Sequence, residues 1–141
     1  MALLQKELFT AIAAVIRASR LTQKIFISLQ AGQVGSAATT TKLDKSPVTI
    51  ADYGSQAIVN AILRSAFPKD PIVGEEDAEN LRNNPELREK VWKLVSSTLQ
   101  ETSSEELRQY GGLITTDEEM MNVIDKGGFS GGSVGRKRVS L

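Results

Sequence analysis

The feature that most constrains the fold is the periodicity of the first thirty residues. Mostly apolar side chains recur there at three- and four-residue steps or at their sum, which is the spacing of one helical face. The set is Leu4, Leu8, Ile12, Val15, Thr22, Ile25 and Leu29. The other side carries the basic residues Lys6, Arg17, Arg20 and Lys24. The pattern predicts one amphipathic helix over residues 3–29 that packs its apolar face on a core, rather than a partner-binding or membrane-surface helix.

A second helix is predicted near residues 50–66. Pro47 biases Ser46 away from helical backbone angles, and Pro68 ends the pattern. The expected buried face consists of Ile58, Ala61, Ile62 and Ser65.

Three more helical patterns follow. Asn84-Pro85 opens one of them, with Asn84 as the cap and Pro85 at the first helical position. Its core-facing residues are Leu87, Val91, Leu94 and Val95. Residues 103–110 form a weaker pattern, and a capping box at 116–119 opens a last helix that ends at Gly127.

The segments between these helices differ in character. Residues 30–48 are small, polar and aperiodic, which predicts a mobile loop, and residues 71–73 form a short strand-like run. The tail, 127–141, is rich in glycine and ends with a basic triplet that is too short for a nucleic-acid patch. The whole pattern, 1–141, predicts one helix-rich α+β domain.

Composition excludes several kinds of chemistry. The 141 residues include no cysteine and no histidine, so a cysteine nucleophile, a Ser-His-Asp triad and a Cys/His zinc site are excluded. A hard cation such as Mg²⁺ fits the remaining oxygen donors better than zinc. With 17 basic and 17 acidic residues, the chain has no basic excess for nucleic acid or a membrane surface. The expected location is the cytoplasm, with no membrane segment.

Two groups of carboxylates could carry chemistry. Glu75 and Glu76 follow Gly74 directly after the strand-like run, where they could ligate a cation, although a solvated acidic loop is the alternative. Asp52 lies in the first turn of the second helix, where the helix dipole favours a carboxylate without any functional purpose.

The order of these segments resembles a known superfamily. Lys42-x-Asp44-x-Ser46-Pro47-Val48-Thr49-x-Ala51-Asp52 with Gln56, then Ile72-Val73-Gly74-Glu75-Glu76, then Gly131-Gly132-x-x-Gly135-Arg136, is similar to the lithium-sensitive, magnesium-dependent phosphatases. That group includes inositol monophosphatases, fructose bisphosphatases and 3′(2′),5′-bisphosphate nucleotidases, and the chain looks closest to the fungal nucleotidases. The resemblance implies the N-terminal part of the layered α/β sugar-phosphatase fold, with the C-terminal half absent.

The resemblance also implies roles for particular residues. Asp52 matches the aspartate that orients and helps deprotonate the attacking water. Glu75 matches a ligand of the catalytic Mg²⁺, and Glu76 is a weaker metal candidate by adjacency. Asp44 lies in the signature, but no ligand role is carried over to it. The implied reaction is hydrolysis of adenosine 3′,5′-bisphosphate to AMP and phosphate, a by-product clearance step in sulfate assimilation.

The departure from the family pattern concerns the end of the chain. The family continues to Asp-Pro-Ile-Asp-Gly-Thr, which this sequence does not contain. We therefore expect a truncated N-terminal domain that is inactive alone, binds Mg²⁺ weakly and exposes apolar surface through which it could self-associate. The alternatives are an inositol-phosphate phosphatase and a non-catalytic interaction module.

Overall fold

In a computed structural model of the protein, the structure describes residues 2–31, 46–101, 105 and 114–128. Five helices make up most of this part: α1 (Ala2–Gln30), α2 (Ser46–Ala66), α3 (Glu79–Asn83), α4 (Pro85–Gln100) and α5 (Asp117–Gly128). Helix accounts for 81% of it and strand for none, so the prediction of a helix-rich chain is confirmed. The strand-like run 71–73 is irregular, because a strand needs a neighbouring strand to pair its backbone groups and the described ranges hold none.

The helix boundaries follow local signals closely. Helix α1 matches the prediction to within a residue at each end, and the Asn84 side chain caps α4 by accepting a hydrogen bond from the Leu87 amide at 3.1 Å. Helix α2 begins at Ser46, four residues earlier than predicted. The reason is that Pro47 occupies the first turn, where the missing N–H would have had no helical partner.

Three predicted segments lie wholly or mainly outside the described residues. They are the weaker helix at 103–110, apart from Glu105, most of the loop at 30–48 and the tail beyond residue 128. Helix α5 reaches Gly128, one residue past the predicted stop, and the short helix α3 was not predicted. None of the described helices is long and apolar enough to cross a bilayer.

Helix α2 lies at the centre and packs against α1, α4 and α5. The largest fully buried apolar side chains are Leu21, Ile58, Ile62, Leu81, Val91, Val95, Met120 and Ile124. The predicted inner faces of α2 and α4 are confirmed, except that Ser65, in the last turn of α2, is exposed. This packing fixes α2 as the element from which the other segments take their positions.

The predicted orientation of α1 is wrong. Its buried side chains include Thr10, Ala14, Arg17 and Leu21, and the lysines of the supposed solvent face contact the rest of the protein. The ammonium of Lys6 donates to the carbonyl of Ala66 at 2.8 Å, and that of Lys24 lies 2.6 Å from a Glu101 carboxylate oxygen.

Most of the side of α1 expected in the core is instead exposed, although Ile25 packs against the core as predicted. We call the exposed side the outer face, formed by Leu4, Leu8, Phe9, Ile12, Val15, Ile16, Phe26, Ile27 and Leu29. On the inner side, the fully buried Leu21 packs against Gly54 of α2, where an added Cβ would lie 2.8 Å from Leu21 Cδ1. The absence of a side chain at Gly54 therefore makes room for Leu21 between the two helices.

Candidate functional site

The site is built around the segment 74–77, which runs against the side of α2. A Cβ added to Gly74 would lie 2.7 Å from Cδ and Oε1 of Gln56, so only glycine permits this approach without displacing the glutamine. Gln56 Nε2 donates to the carbonyl of Glu76 at 2.8 Å, and Gln56 Oε1 accepts from the Glu76 amide at 2.9 Å. The second proton of Nε2 goes to the carbonyl of Ile124 in α5, at 3.1 Å. A single side chain therefore joins α2, the acidic segment and α5.

Two carboxylates hold the backbone that directly follows this segment. Asp77 Oδ1 accepts from the amide of Glu79 at the start of α3, at 3.0 Å. Asp125 of α5 accepts from the Ala78 amide at 2.8 Å with one oxygen and from Arg82 Nη2 at 2.5 Å with the other. The hydrogen bond to Asp125 is the main reason that the pKa of Arg82 is raised. These two carboxylates are thus engaged in holding the segment and α3 in place.

An open cavity of about 440 Å³ lies between α2, the acidic segment and α3. Its lining consists of Tyr53, Glu75, Glu76, Asp77, Glu79, Asn80 and Asn83. Tyr53 is itself buried, and burial raises the pKa of its phenol, against which a hydrogen bond with Asn80 acts in the opposite direction. The cavity is therefore polar and mostly acidic, with oxygen donors along most of its wall.

Negative charge converges on Glu76. Burial raises the pKa of its carboxyl, and the neighbouring charges of Asp52, Glu75 and Asp77 raise it further. Burial is the larger of these causes. A region that holds like charges together favours a bound cation on electrostatic grounds.

The three predicted site residues are brought together only in part. Glu75 and Glu76 share the cavity, whereas Asp52 is exposed on α2 and affects Glu76 through its charge without lining the cavity. No group of three or more acidic side chains among the described residues is arranged to hold a metal ion. The chemistry of the donors therefore fits a hard cation, but their number falls short of the octahedral set that Mg²⁺ requires. Asp44 lies outside the described residues.

Sequence reasoning missed the residues that shape the site. Gln56 was noted only as part of a signature, although its place four residues after Asp52 puts both on one side of α2. No sequence motif marked Tyr53 or Asn80 as a site residue. The role of Asp125 could not be anticipated, because it depends on how α5 packs 47 residues away along the chain from Ala78.

Comparison with known proteins gives a consistent set of relatives. The chain is 52% identical over 127 residues to a 3′(2′),5′-bisphosphate nucleotidase of Schizosaccharomyces pombe. It is 44% identical over 132 residues to 3′(2′),5′-bisphosphate nucleotidase 1 of Candida albicans, and 41% identical over 133 residues to the enzyme of that name from Emericella nidulans. No family model matches the sequence.

These matches are unequal in coverage. They extend over 89–94% of this chain but over only 35–36% of each relative. The chain thus spans about a third of the length of the curated relatives it matches. The resemblance drawn from the sequence motifs, including the fungal relatives, is confirmed.

Proposed function

We propose that this chain, a homologue of the 3′(2′),5′-bisphosphate nucleotidases over 89–94% of its length, carries part of the active site of a Mg²⁺-dependent phosphatase. The proposed reaction is hydrolysis of adenosine 3′,5′-bisphosphate to AMP and phosphate. The single observation that carries the proposal is the juxtaposition of Glu75 and Glu76 with the charge of Asp52, in a chain with these relatives.

The roles follow from exposure and charge. Asp52 is exposed at the side of α2, where its carboxylate can accept a proton from a water molecule. Glu75 and, more weakly, Glu76 would provide oxygen ligands to the cation from the cavity wall. When bound, Mg²⁺ would lower the pKa of water and shield the phosphoryl oxygens.

We further propose that the chain is inactive alone. The sequence has no Asp-Pro-Ile-Asp-Gly-Thr motif, whose aspartates would add metal ligands and whose threonine would share the water with Asp52. Because the described residues gather fewer than three acidic ligands, Mg²⁺ would be held weakly. We also propose that these helices form part of the layered α/β fold of that family.

The first test measures phosphate release from adenosine 3′,5′-bisphosphate with Mg²⁺, using the Schizosaccharomyces pombe relative as the positive control. We expect release by the relative and none by this chain. Release by this chain that Asp52→Asn abolishes would overturn the proposed inactivity and establish catalysis. A relative that releases phosphate equally fast from inositol phosphates would favour the alternative substrate class.

The second test measures metal binding directly, with Mn²⁺ as a paramagnetic probe that accepts the same carboxylate ligands. We expect Mn²⁺ to broaden the backbone NMR signals near Glu75, and Glu75→Gln to weaken the effect. Glu89→Gln is the matched control, because Glu89 is exposed on α4 and paired with Lys93. Equal broadening in Glu75→Gln and the unchanged chain would contradict the assigned metal ligand.

The outer face of α1 supports a second candidate function. A non-catalytic interaction module needs exposed apolar surface, and the nine side chains of this face are each at least 40% exposed. We propose that it binds a second copy of the chain.

A further inference from the structure

One side chain of α2 makes two hydrogen bonds to the acidic segment and a third to α5. Gln56 offers two amide protons and one carbonyl oxygen, and all three are used. Nε2 donates two hydrogen bonds, and Oε1 accepts one. The side chain is half-buried, where an unsatisfied amide would be costly. Its rotamer is therefore set by partners on two other segments.

The contacts to Glu76 are of a particular kind. Gln56 accepts from the backbone N–H of Glu76 and donates to the backbone carbonyl of the same residue. These two hydrogen bonds fix the orientation of the backbone at Glu76, as pairing with a neighbouring strand would. That orientation decides where the side chains of Glu75 and Glu76 point, because successive side chains are tied to the backbone from which they leave.

The same geometry explains the glycine at position 74. A side chain there would collide with Gln56, since an added Cβ would lie 2.7 to 2.9 Å from its three terminal atoms. The absence of a side chain at Gly74 thus leaves the space that the end of the Gln56 side chain occupies. The third contact, to the carbonyl of Ile124, anchors the glutamine to α5 and limits its movement.

We propose that Gln56 is a positioning residue for the metal-ligating carboxylates. It holds the Glu75–Glu76 segment against α2 one helical turn after Asp52, so that the proposed metal ligands and the proposed base keep a fixed relation. The assignment of the positioned groups as metal ligands and base rests on the proposed function, whereas the positioning itself rests on the hydrogen bonds alone.

The chain offers its own control for this inference. Asn60, one turn further along α2, is a buried amide that donates to the carbonyl of Val123 in α5 at 3.1 Å. It makes the same kind of α2–α5 contact as Gln56, but its described hydrogen bond goes to α5 and not to segment 74–77. Losing Asn60 should therefore cost stability without releasing the acidic segment.

The experiment compares Gln56→Met with Asn60→Leu in the full 141-residue chain, since both variants keep the shape of the side chain and remove its amide. Hydrogen exchange at the Glu76 amide reports whether the segment is held, Mn²⁺ broadening at Glu75 reports the metal site, and urea unfolding reports stability. We expect Gln56→Met to speed exchange at Glu76 and to weaken Mn²⁺ binding by about 10-fold or more, as is typical when a residue that orients a metal ligand is removed. Asn60→Leu should lower stability and leave the first two readouts unchanged.

Two further variants keep the proposal testable if Gln56→Met fails to fold. Gln56→Glu keeps an oxygen to accept from the Glu76 amide and loses both donations, so it should release the segment in part. Gly74→Ala leaves Gln56 intact and pushes it away, so it should speed exchange at Glu76 as Gln56→Met does.

The outcomes separate the two proposals. Unchanged exchange at Glu76 in Gln56→Met, or equal loss of protection in Asn60→Leu, would overturn the positioning role. Faster exchange in Gln56→Met with no Mn²⁺ binding by the unchanged chain would support the positioning role and count against the proposed metal site.

Discussion

At the scale of single residues, the carboxylates divide into two groups. Asp77, Asp125 and Glu119 accept hydrogen bonds from backbone amides and so hold helix ends and turns. Asp52 and Glu75 are exposed at the site, and Glu76 contributes to the structure mainly through its backbone. A substitution in the first group should therefore change stability, whereas one in the second should change the chemistry of the site.

Glu119 gives a pH-dependent prediction. Its carboxylate accepts from the Thr115 amide at 2.6 Å and from the Thr115 hydroxyl at 3.0 Å, and these bonds lower its pKa below the usual 4.5. Because the folded state favours the charged form, the stabilisation is complete above pH 4.5 and is lost as the pH falls through the lowered pKa. We expect hydrogen exchange at the Thr115 amide to accelerate over that acidic range, beyond the intrinsic change with pH.

Glu119→Gln should remove this acid-dependent step, since the glutamine does not titrate. The control is Glu118→Gln, which changes the neighbouring exposed carboxylate in the same turn of α5. An acid step that persists in Glu119→Gln would show that another group is responsible.

At the scale of elements, α1 has two distinct sides. Its charged residues, Lys6, Glu7, Arg17, Arg20 and Lys24, all fall outside an arc of roughly 160° that contains the outer face. The polar residues within that arc, such as Ser19 and Gln23, carry no charge. A helix with apolar residues on both sides is characteristic of a packed interior, so the outer face has the composition of a surface that becomes buried.

The two sides of α1 should respond differently to truncation. Leu21→Ala should lower the free energy of unfolding by about 2–5 kcal/mol, because Leu21 is fully buried against α2 and truncation leaves a cavity. Leu8→Ala, on the outer face, should change it by about 0.5 kcal/mol or less in the monomeric chain. Urea unfolding at low protein concentration measures both.

This pair of variants also tests the orientation of the helix. If Leu8→Ala proved the more damaging of the two, α1 would have the orientation first predicted from its periodicity. The matched chemistry of the two substitutions makes the comparison independent of the unfolded-state reference.

At the scale of the whole molecule, the outer face is large for an exposed patch. If each of its nine side chains exposes roughly 100 Å², a fraction of the 150–250 Å² of an aromatic side chain, the face exposes about 900 Å², which is similar to the ~800 Å² that each partner buries in a standard interface. The largest apolar patch of a typical monomer is about 300–600 Å². Because the face carries no charge, two copies can meet without like-charge repulsion.

We therefore expect sedimentation equilibrium to show self-association that rises with concentration. Ile12→Glu should shift the chain towards monomer, because it places a charge in the middle of the apolar arc. Lys93→Glu, at an exposed position of α4, is the control and should leave association unchanged. A monomer into the high-micromolar range, or association that Ile12→Glu does not weaken, would contradict a second copy as the occupant.

Much of the described structure follows from local sequence signals. The ends of α1 and α4, the cap at Asn84 and the inner faces of α2 and α4 were predictable, because capping and periodicity act over a few residues. The start of α2 and the short helix α3 were not, since Pro47 is compatible with two interpretations and α3 depends on Asp77 and on packing of Leu81. The candidate carboxylates were also found from sequence, through the resemblance of their motifs to known proteins.

The sequence alone was enough to predict the helical character of the chain and its relationship to the nucleotidases, whereas the roles of its carboxylates stay a prediction. Which side of α1 turns inward and what holds the acidic segment both depend on tertiary contacts. The physical reason is distance along the chain: Gln56 meets Glu76 and Ile124 at separations of 20 and 68 residues, and contacts that far apart leave no local pattern. The packing of Leu21 of α1 against Gly54 of α2 is likewise a fit between two helices that periodicity within one helix does not encode.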